Sequence, residues 1–308
     1  MTEVILSKIA VMFIIMAIGF VCGKIGLIDS KGNKILSNVT LLLVNPLVMF
    51  VSYQREYSSA IAKNLFISLG ISVLVMTLQI AIAVVLIPKK RDNSAIERLT
   101  VILTNCGFMG IPLVESVFGG EGVIYLSMYV TVFNVVAWTY GISQMTGKAS
   151  ARTTVKNLCT PAIFAIVLGL VFYFCRISLP SIIKEPLETI GNMNTPMAML
   201  VAGATLSGTN IVKCLKKIRV YIITAVHLLA IPLIAAAILY VFSKLGISSE
   251  VLRVLLIAIS CPSAVITTMF SHRYGKDSVY ASELFAVSTL LSAGSIPLVM
   301  WLFSLMGV

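Results

Sequence analysis

Apolar residues in this chain neither alternate nor keep to one helical stripe; they run almost unbroken for about twenty positions at a time. Such runs occupy roughly residues 4–22, 35–53, 60–87, 99–117, 122–145, 157–175, 186–206, 219–243, 251–270 and 279–305. Polar and charged residues gather in the short stretches between them. A run of this length is what a helix needs to cross the hydrocarbon core of a bilayer. In lipid the backbone must satisfy its own hydrogen bonds, so non-alternating runs predict helices and not a barrel. The pattern therefore predicts an all-α polytopic membrane protein with ten transmembrane helices. The first run has no basic amino-terminal cluster and no clear small-residue cleavage site, and it reads as a retained helix and not a secretory leader.

Composition agrees. The chain has 308 residues, of which 58% are hydrophobic and only 11% charged, and its mean hydropathy is +1.02. A water-soluble surface of this size needs more charge. The net charge of +11 would raise the question of nucleic acid, but its distribution answers it. Lys24, Lys31, Lys34, Lys89, Lys90, Arg91, Arg98, Lys148, Arg152, Lys156, Lys213, Lys216, Lys217, Arg219, Arg273 and Lys276 all follow odd-numbered runs. Lys8, Arg55, Lys63, Arg176, Lys184, Lys244 and Arg253 are left for the other side. The positive-inside rule places both termini outside the cell membrane and the basic loops in the cytoplasm. No aromatic-basic patch points to nucleic acid. The six cysteines stand singly and read as packing residues. His227 and His272 are too far apart in sequence for a structural zinc site. No cofactor or metal is expected, no phosphate-binding loop for an ATP motor is visible, and no hydrolase or metalloprotease arrangement of side chains occurs.

The stretch 146–157 divides the chain into residues 1–145 and 158–308, each holding five runs. Five is odd, so two related halves would be inverted with respect to one another. The same interval separates Pro46 from Pro196 and Pro112 from Pro262, and Asn45–Met49 resembles Thr195–Met199. Proline removes a backbone donor and collides with the preceding turn. Gly107 and Gly110 loosen the run that contains Pro112 further. Interrupted helices at matching places in two inverted halves mark the binding site of a secondary carrier, although proline kinks in membrane helices also serve packing alone.

Asn105–Gly119, with its Met109-Gly110-Ile111-Pro112-Leu113 core, resembles the corresponding segment of the auxin efflux carrier family. So do Gly19-Phe20 with Gly23–Ile28, Pro196–Met199, and Ala281–Ser292 leading to Pro297. The resemblance runs through the whole chain in order. The long central loop of many plant members is absent, as in bacterial members, and Pro262-Ser263 stands where plant exporters carry Pro-Gln. The resemblance implies two inverted five-helix repeats with crossed, broken helices four and nine, the architecture also seen in bile-acid symporters, and often a homodimer. It implies that Asn105 meets a substrate carboxylate, with Pro112 and Pro262 forming the crossing.

No lysine or arginine falls in the middle of a run, so an organic anion would be held by helix ends and neutral donors: Asn105, Ser263, Asn45, Asn194 and Thr195, with Asn134 on the fifth run. Phe108, Met109, Leu47 and Met199 are expected to line the cavity. The expected function is secondary transport of a small carboxylate such as malate, malonate or an auxin-like acid, either coupled to an ion, sodium or a proton, or by uniport. The competing expectation is a membrane sensor that binds a ligand without moving it. Gln79 and Asn134 read as interhelical hydrogen-bond formers, and Gly19 with Gly23 as a close helix contact. Glu283 reads as an ion-pair partner or as part of the cytoplasmic vestibule, and His227 as a neutral ring on a backbone carbonyl or a proton relay.

Overall fold

The computed structural model describes residues 2–147, 160–208 and 217–308, and these are helical throughout apart from short connections and one isolated bridge. The helices are α1 (Thr2–Lys24), α2 (Ser30–Val39), α3 (Asn45–Ser52), α4 (Ser59–Leu86), α5 (Ser94–Ile102), α6 (Ile111–Val136), α7 (Ile142–Thr146), α8 (Pro161–Phe174), α9 (Ser181–Gly191), α10 (Asn194–Ser207), α11 (Ile218–Ala225), α12 (Ile231–Lys244), α13 (Ser249–Ser260), α14 (Val265–Arg273) and α15 (Ser278–Leu305). Among the described residues, six continuous stretches are long and apolar enough to cross a bilayer: Glu3–Lys24, Ser30–Ser52, Ser59–Leu86, Cys106–Thr146, Ile218–Lys244 and Ser278–Leu305. Large apolar side chains face outward, among them Phe164, Ile182 and Val85. In water this would be untenable; it is the surface a bilayer covers. The chain is a multi-pass membrane protein.

Five-residue π turns interrupt several of these stretches, and their placement has a cause. Thr40–Val44, Cys106–Gly110 and Val226–Ala230 each end just before a dipeptide whose second member is Pro46, Pro112 or Pro232. The residue before each proline donates five residues back: Asn45 to Thr40, Ile111 to Cys106, Ile231 to Val226. In a regular α-helix the proline ring would meet the carbonyl four residues earlier. The wider π turn moves that carbonyl aside. Pro46 therefore bends its helix without breaking it. Pro196 lies in the first turn of α10, where the missing donor costs nothing; the interruption there is Asn192–Met193. Gly119 (φ 64°, ψ −161°) kinks α6 with a backbone that only glycine adopts readily.

Helices start earlier than the apolar runs predict where their first turns are polar. α2 begins at Ser30 behind Asp29, whose carboxylate accepts from the Gly32 amide at 2.6 Å. α9 begins at Ser181 and carries the Lys184–Glu188 pair. The run expected over 157–175 is described from Thr160 onward; most of the 146–157 connection, with Cys159 and Cys214, lies outside the described residues.

Two packing groups result. α1 lies along α10, with α2, α3, α8 and α9 beside them; α4, α5, α6 and α11 to α15 pack on one another. Gly19, Gly23 and Gly203 make the α1–α10 contact close. A Cβ on Gly203 would collide with the Met16 carbonyl oxygen, and one on Gly19 with that of Leu200. The expected glycine contact is there. Between the groups run the Tyr53–Ser127 hydroxyl pair (2.6 Å) and the Arg55–Glu121 ion pair (3.2 Å).

Candidate functional site

Two helix interruptions meet in the middle of the second group. Between α5 and the Cys106–Gly110 turn the helix is interrupted at Leu103–Asn105; between α13 and α14 it is interrupted at Cys261–Ala264. The two segments pair antiparallel at Thr104 and Ser263. The Asn105 amide donates to the Pro262 carbonyl at 2.7 Å, and the Ala264 amide donates to the Leu103 carbonyl at 2.8 Å. Each break thus satisfies the other, as a lipid-embedded backbone requires. Pro262 is in the crossing. Pro112 is not: it sits at the start of α6, beyond the π turn, because that turn accommodates its ring. The break in this segment falls at Leu103–Asn105, where no proline marks it.

Ser263 is fully engaged. Its amide and hydroxyl both reach the Ser288 hydroxyl, at 3.1 and 2.8 Å. Asn105 is buried, and its side-chain amide makes no hydrogen bond among the described residues. It directly precedes the Cys106 turn, whose first amides no side chain caps. That leaves a neutral amide and a half-helix N-terminus side by side, an arrangement suited to a carboxylate.

Two further asparagines keep unspent polar atoms. Asn45 donates to the Gly107 carbonyl at 3.3 Å while its own amide oxygen has no partner. Asn194 is wholly buried at the start of α10, which packs on the Cys106–Gly110 turn, and neither of its amide atoms is within hydrogen-bonding distance of a partner. Thr195 beside it is half-buried and Pro196 exposed. Gly107 faces Asn45, and Gly110 packs against Cys106 and Cys261; a Cβ on Gly110 would lie 3.4 Å from the Cys261 sulfur. Asn134 stands apart from these: its amide donates to the Val130 carbonyl within its own helix at 2.8 Å. Gln79 is buried near the Tyr129 phenol without reaching a hydrogen-bond partner. Neither bonds between helices as expected. Met109 and Met199 are sealed in the core, Phe108 is nearly so, and Leu47 is half-buried.

A cavity of about 350 Å³ opens on one face of the molecule, lined in part by Ser52, Arg55, Glu115, Lys184, Glu188 and Asn192. Glu115 lies beside Asn194, and sequence reasoning passed over it. The available signal was an acidic residue three places beyond Pro112 in an apolar run, which marks function by default. On the opposite face, Arg219 grips Glu97 with two hydrogen bonds (2.8 and 2.5 Å) and Tyr280 adds a third at 3.0 Å. Lys217 binds both oxygens of Glu283 at 2.7 and 2.6 Å, the expected ion pair. Arg98 is spent on the Ile87 carbonyl at 2.8 and 2.6 Å.

A family model described as a membrane transport protein matches residues 4–155 and 145–300. An uncharacterized transporter of Methanothermobacter thermautotrophicus is 25% identical over 303 residues, covering 96% of each chain. A second, from Methanocaldococcus jannaschii, is 24% identical over 300 residues, covering 92% of this chain and 94% of its own. Paired helix breaks in a polytopic bundle and a family match along nearly the whole length agree: the chain belongs to the membrane transport protein family, that of the auxin efflux carriers.

Proposed function

We propose that this protein is a secondary carrier of a small organic anion, a carboxylate such as malate, malonate or an auxin-like acid. The carboxylate sits at Asn105 and the N-terminal amides of the Cys106 turn, with Asn45 and Asn194 completing the polar lining. Ser263 holds the crossing together and does not touch substrate. The chain acts as ten membrane passes in two inverted five-helix repeats, 1–145 and 158–308, joined by 146–157. Both termini face outside the cell membrane, and the face bearing Lys90, Arg91 and Lys217 is cytoplasmic.

The observation that carries this reading is the unpaired Asn105 amide beside an uncapped half-helix N-terminus at the crossing. The large majority of buried side-chain polar atoms are hydrogen-bonded, so an amide left without a partner at the break supports a ligand contact. The packing of the helices into two groups, linked by few polar contacts, supports alternating access by movement of one group against the other.

Labelled malate, malonate and indole-3-acetate offered to proteoliposomes test this. Saturable uptake of one of them is expected, falling about tenfold or more in Asn105→Ala, the loss of one hydrogen bond to a charged group. Unchanged uptake in a folded Asn105→Ala protein overturns the site. Failure to move any acid under any gradient overturns the carrier reading and favours a ligand sensor.

A further inference from the structure

Each break strands a backbone carbonyl. In an uninterrupted helix the Val101 carbonyl would accept from the amide of Asn105, but that amide serves Pro262. Cys261 lies just past the last helical residue of α13, with its backbone already extended (ψ 151°). One side chain meets both oxygens. His227, in the π turn that links α11 to α12, is completely buried. Its Nδ1 lies 3.2 Å from the Val101 oxygen and its Nε2 3.0 Å from the Cys261 oxygen.

A carbonyl oxygen can only accept. A neutral imidazole has one N–H and one lone pair, so it can satisfy one of these oxygens and must set its lone pair against the other. Only the imidazolium donates to both. The two oxygens also lie at the C-terminal ends of two half-helices, where their negative dipole ends converge. Burial opposes a charged ring; the two carbonyls and the dipoles favour it.

Among the described residues no carboxylate competes for the ring. On the elements packed against it, Glu97 of α5 is paired with Arg219 of α11, and Glu283 of α15 with Lys217. Arg98 binds the Ile87 carbonyl and Arg253 of α13 the Val308 carbonyl. Glu250 of α13 stands with Glu121 and Arg55. The remaining titratable groups on these elements are Tyr280, the Tyr221 and Tyr240 phenols and Lys244 of its own helix pair, and at the crossing the Cys106 and Cys261 thiols and Tyr129.

We infer that His227 binds the coupling proton of this carrier. The imidazolium straps the ends of α5 and α13 together; loss of the proton surrenders the longer contact, to Val101, and frees one side of the crossing. The strapped crossing is therefore favoured at low pH and lost as pH rises through the titration of the ring. Because the ring is buried, its proton exchanges with water only when the crossing rearranges, which makes proton release and rearrangement one event. The coupling role rests on the carrier reading; the protonation does not.

The chain holds only two histidines, so ¹⁵N-histidine labelling of the His272→Gln protein leaves His227 as the single ring signal. An imidazolium spectrum at acid pH that converts to a neutral tautomer on raising pH is expected. A single neutral tautomer throughout overturns the inference. In proteoliposomes, one pH unit coupled to one proton supports about tenfold accumulation. Wild type is expected to reach it, while His227→Gln is expected to exchange substrate at equilibrium without accumulating it. A titrating ring in a carrier whose uptake ignores the gradient overturns the coupling role. A titrating ring with no acid transported overturns the carrier reading, and the coupling role with it, but leaves the proton site.

Discussion

Asn105, Ser263 and Ser288 divide the work at the crossing. Asn105 keeps its side chain free, whereas Ser263 is consumed by Ser288, whose hydroxyl also takes the buried Ser263 amide. Removing that hydroxyl leaves a buried donor unmatched, at a cost of about 1–3 kcal/mol. Ser288→Ala should therefore lower the thermal midpoint in detergent by several degrees while leaving substrate affinity, where measurable, much less affected than Asn105→Ala. A Ser288→Ala protein with wild-type stability would show that the crossing does not depend on this bond. Both Asn105 and Ser263 were legible in the sequence as polar residues within apolar runs. A free amide could not be told from an engaged hydroxyl there, because the partner lies on another helix. Asn134 differs for a related reason: its amide donates to a carbonyl of its own helix, one turn back.

Among the elements, proline and glycine carry most of the local instruction. The prolines at 46, 112 and 232 are legible as disturbances, but the chain answers each with a π turn and not a break. Of the two actual breaks, the one at Cys261–Ala264 is marked by Pro262, whereas the one at Leu103–Asn105 follows from pairing with that distant segment, which no local rule reports. Glycine works differently along α1 and α10, where it lets two backbones touch. Gly203→Ala would drive a methyl group into the Met16 carbonyl, so α1 and α10 must separate, for about 1–3 kcal/mol. A drop in thermal midpoint, measured by unfolding in detergent, is the expected outcome, whereas Gly294→Ala, with open space around it, should leave it unchanged.

In the molecule as a whole, the two packing groups meet near Ser52 of α3 and Gly120 of α6. A Cβ on Gly120 would lie 3.8 Å from that of Ser52, within the range of a disulfide. In a background free of the native cysteines, Ser52→Cys with Gly120→Cys should cross-link on mild oxidation. If transport requires the groups to move against each other, oxidation abolishes uptake and a reductant restores it. Full activity of the cross-linked protein would rule that motion out. The Arg55–Glu121 pair beside it is half-exposed and should contribute little stability on its own. Arg55→Gln is expected to alter uptake kinetics, read as KM and maximal rate, more than the thermal midpoint.

That this chain is helical and embedded in a membrane follows from the order of its residues alone. Long apolar runs admit only helices in lipid, because a backbone without water must bond to itself. The prolines, the glycines and the motif around Asn105 also mark the region of the candidate site. Which polar groups remain available there is settled by packing. Ser263 is spent on Ser288, Glu115 stands beside Asn194, and His227 bridges two carbonyls that belong to different helices. The physical reason is common to all three. A hydrogen bond's partner across helices is fixed by how those helices pack, and in a chain where every segment is apolar, hydropathy places each helix in the membrane without saying which faces meet.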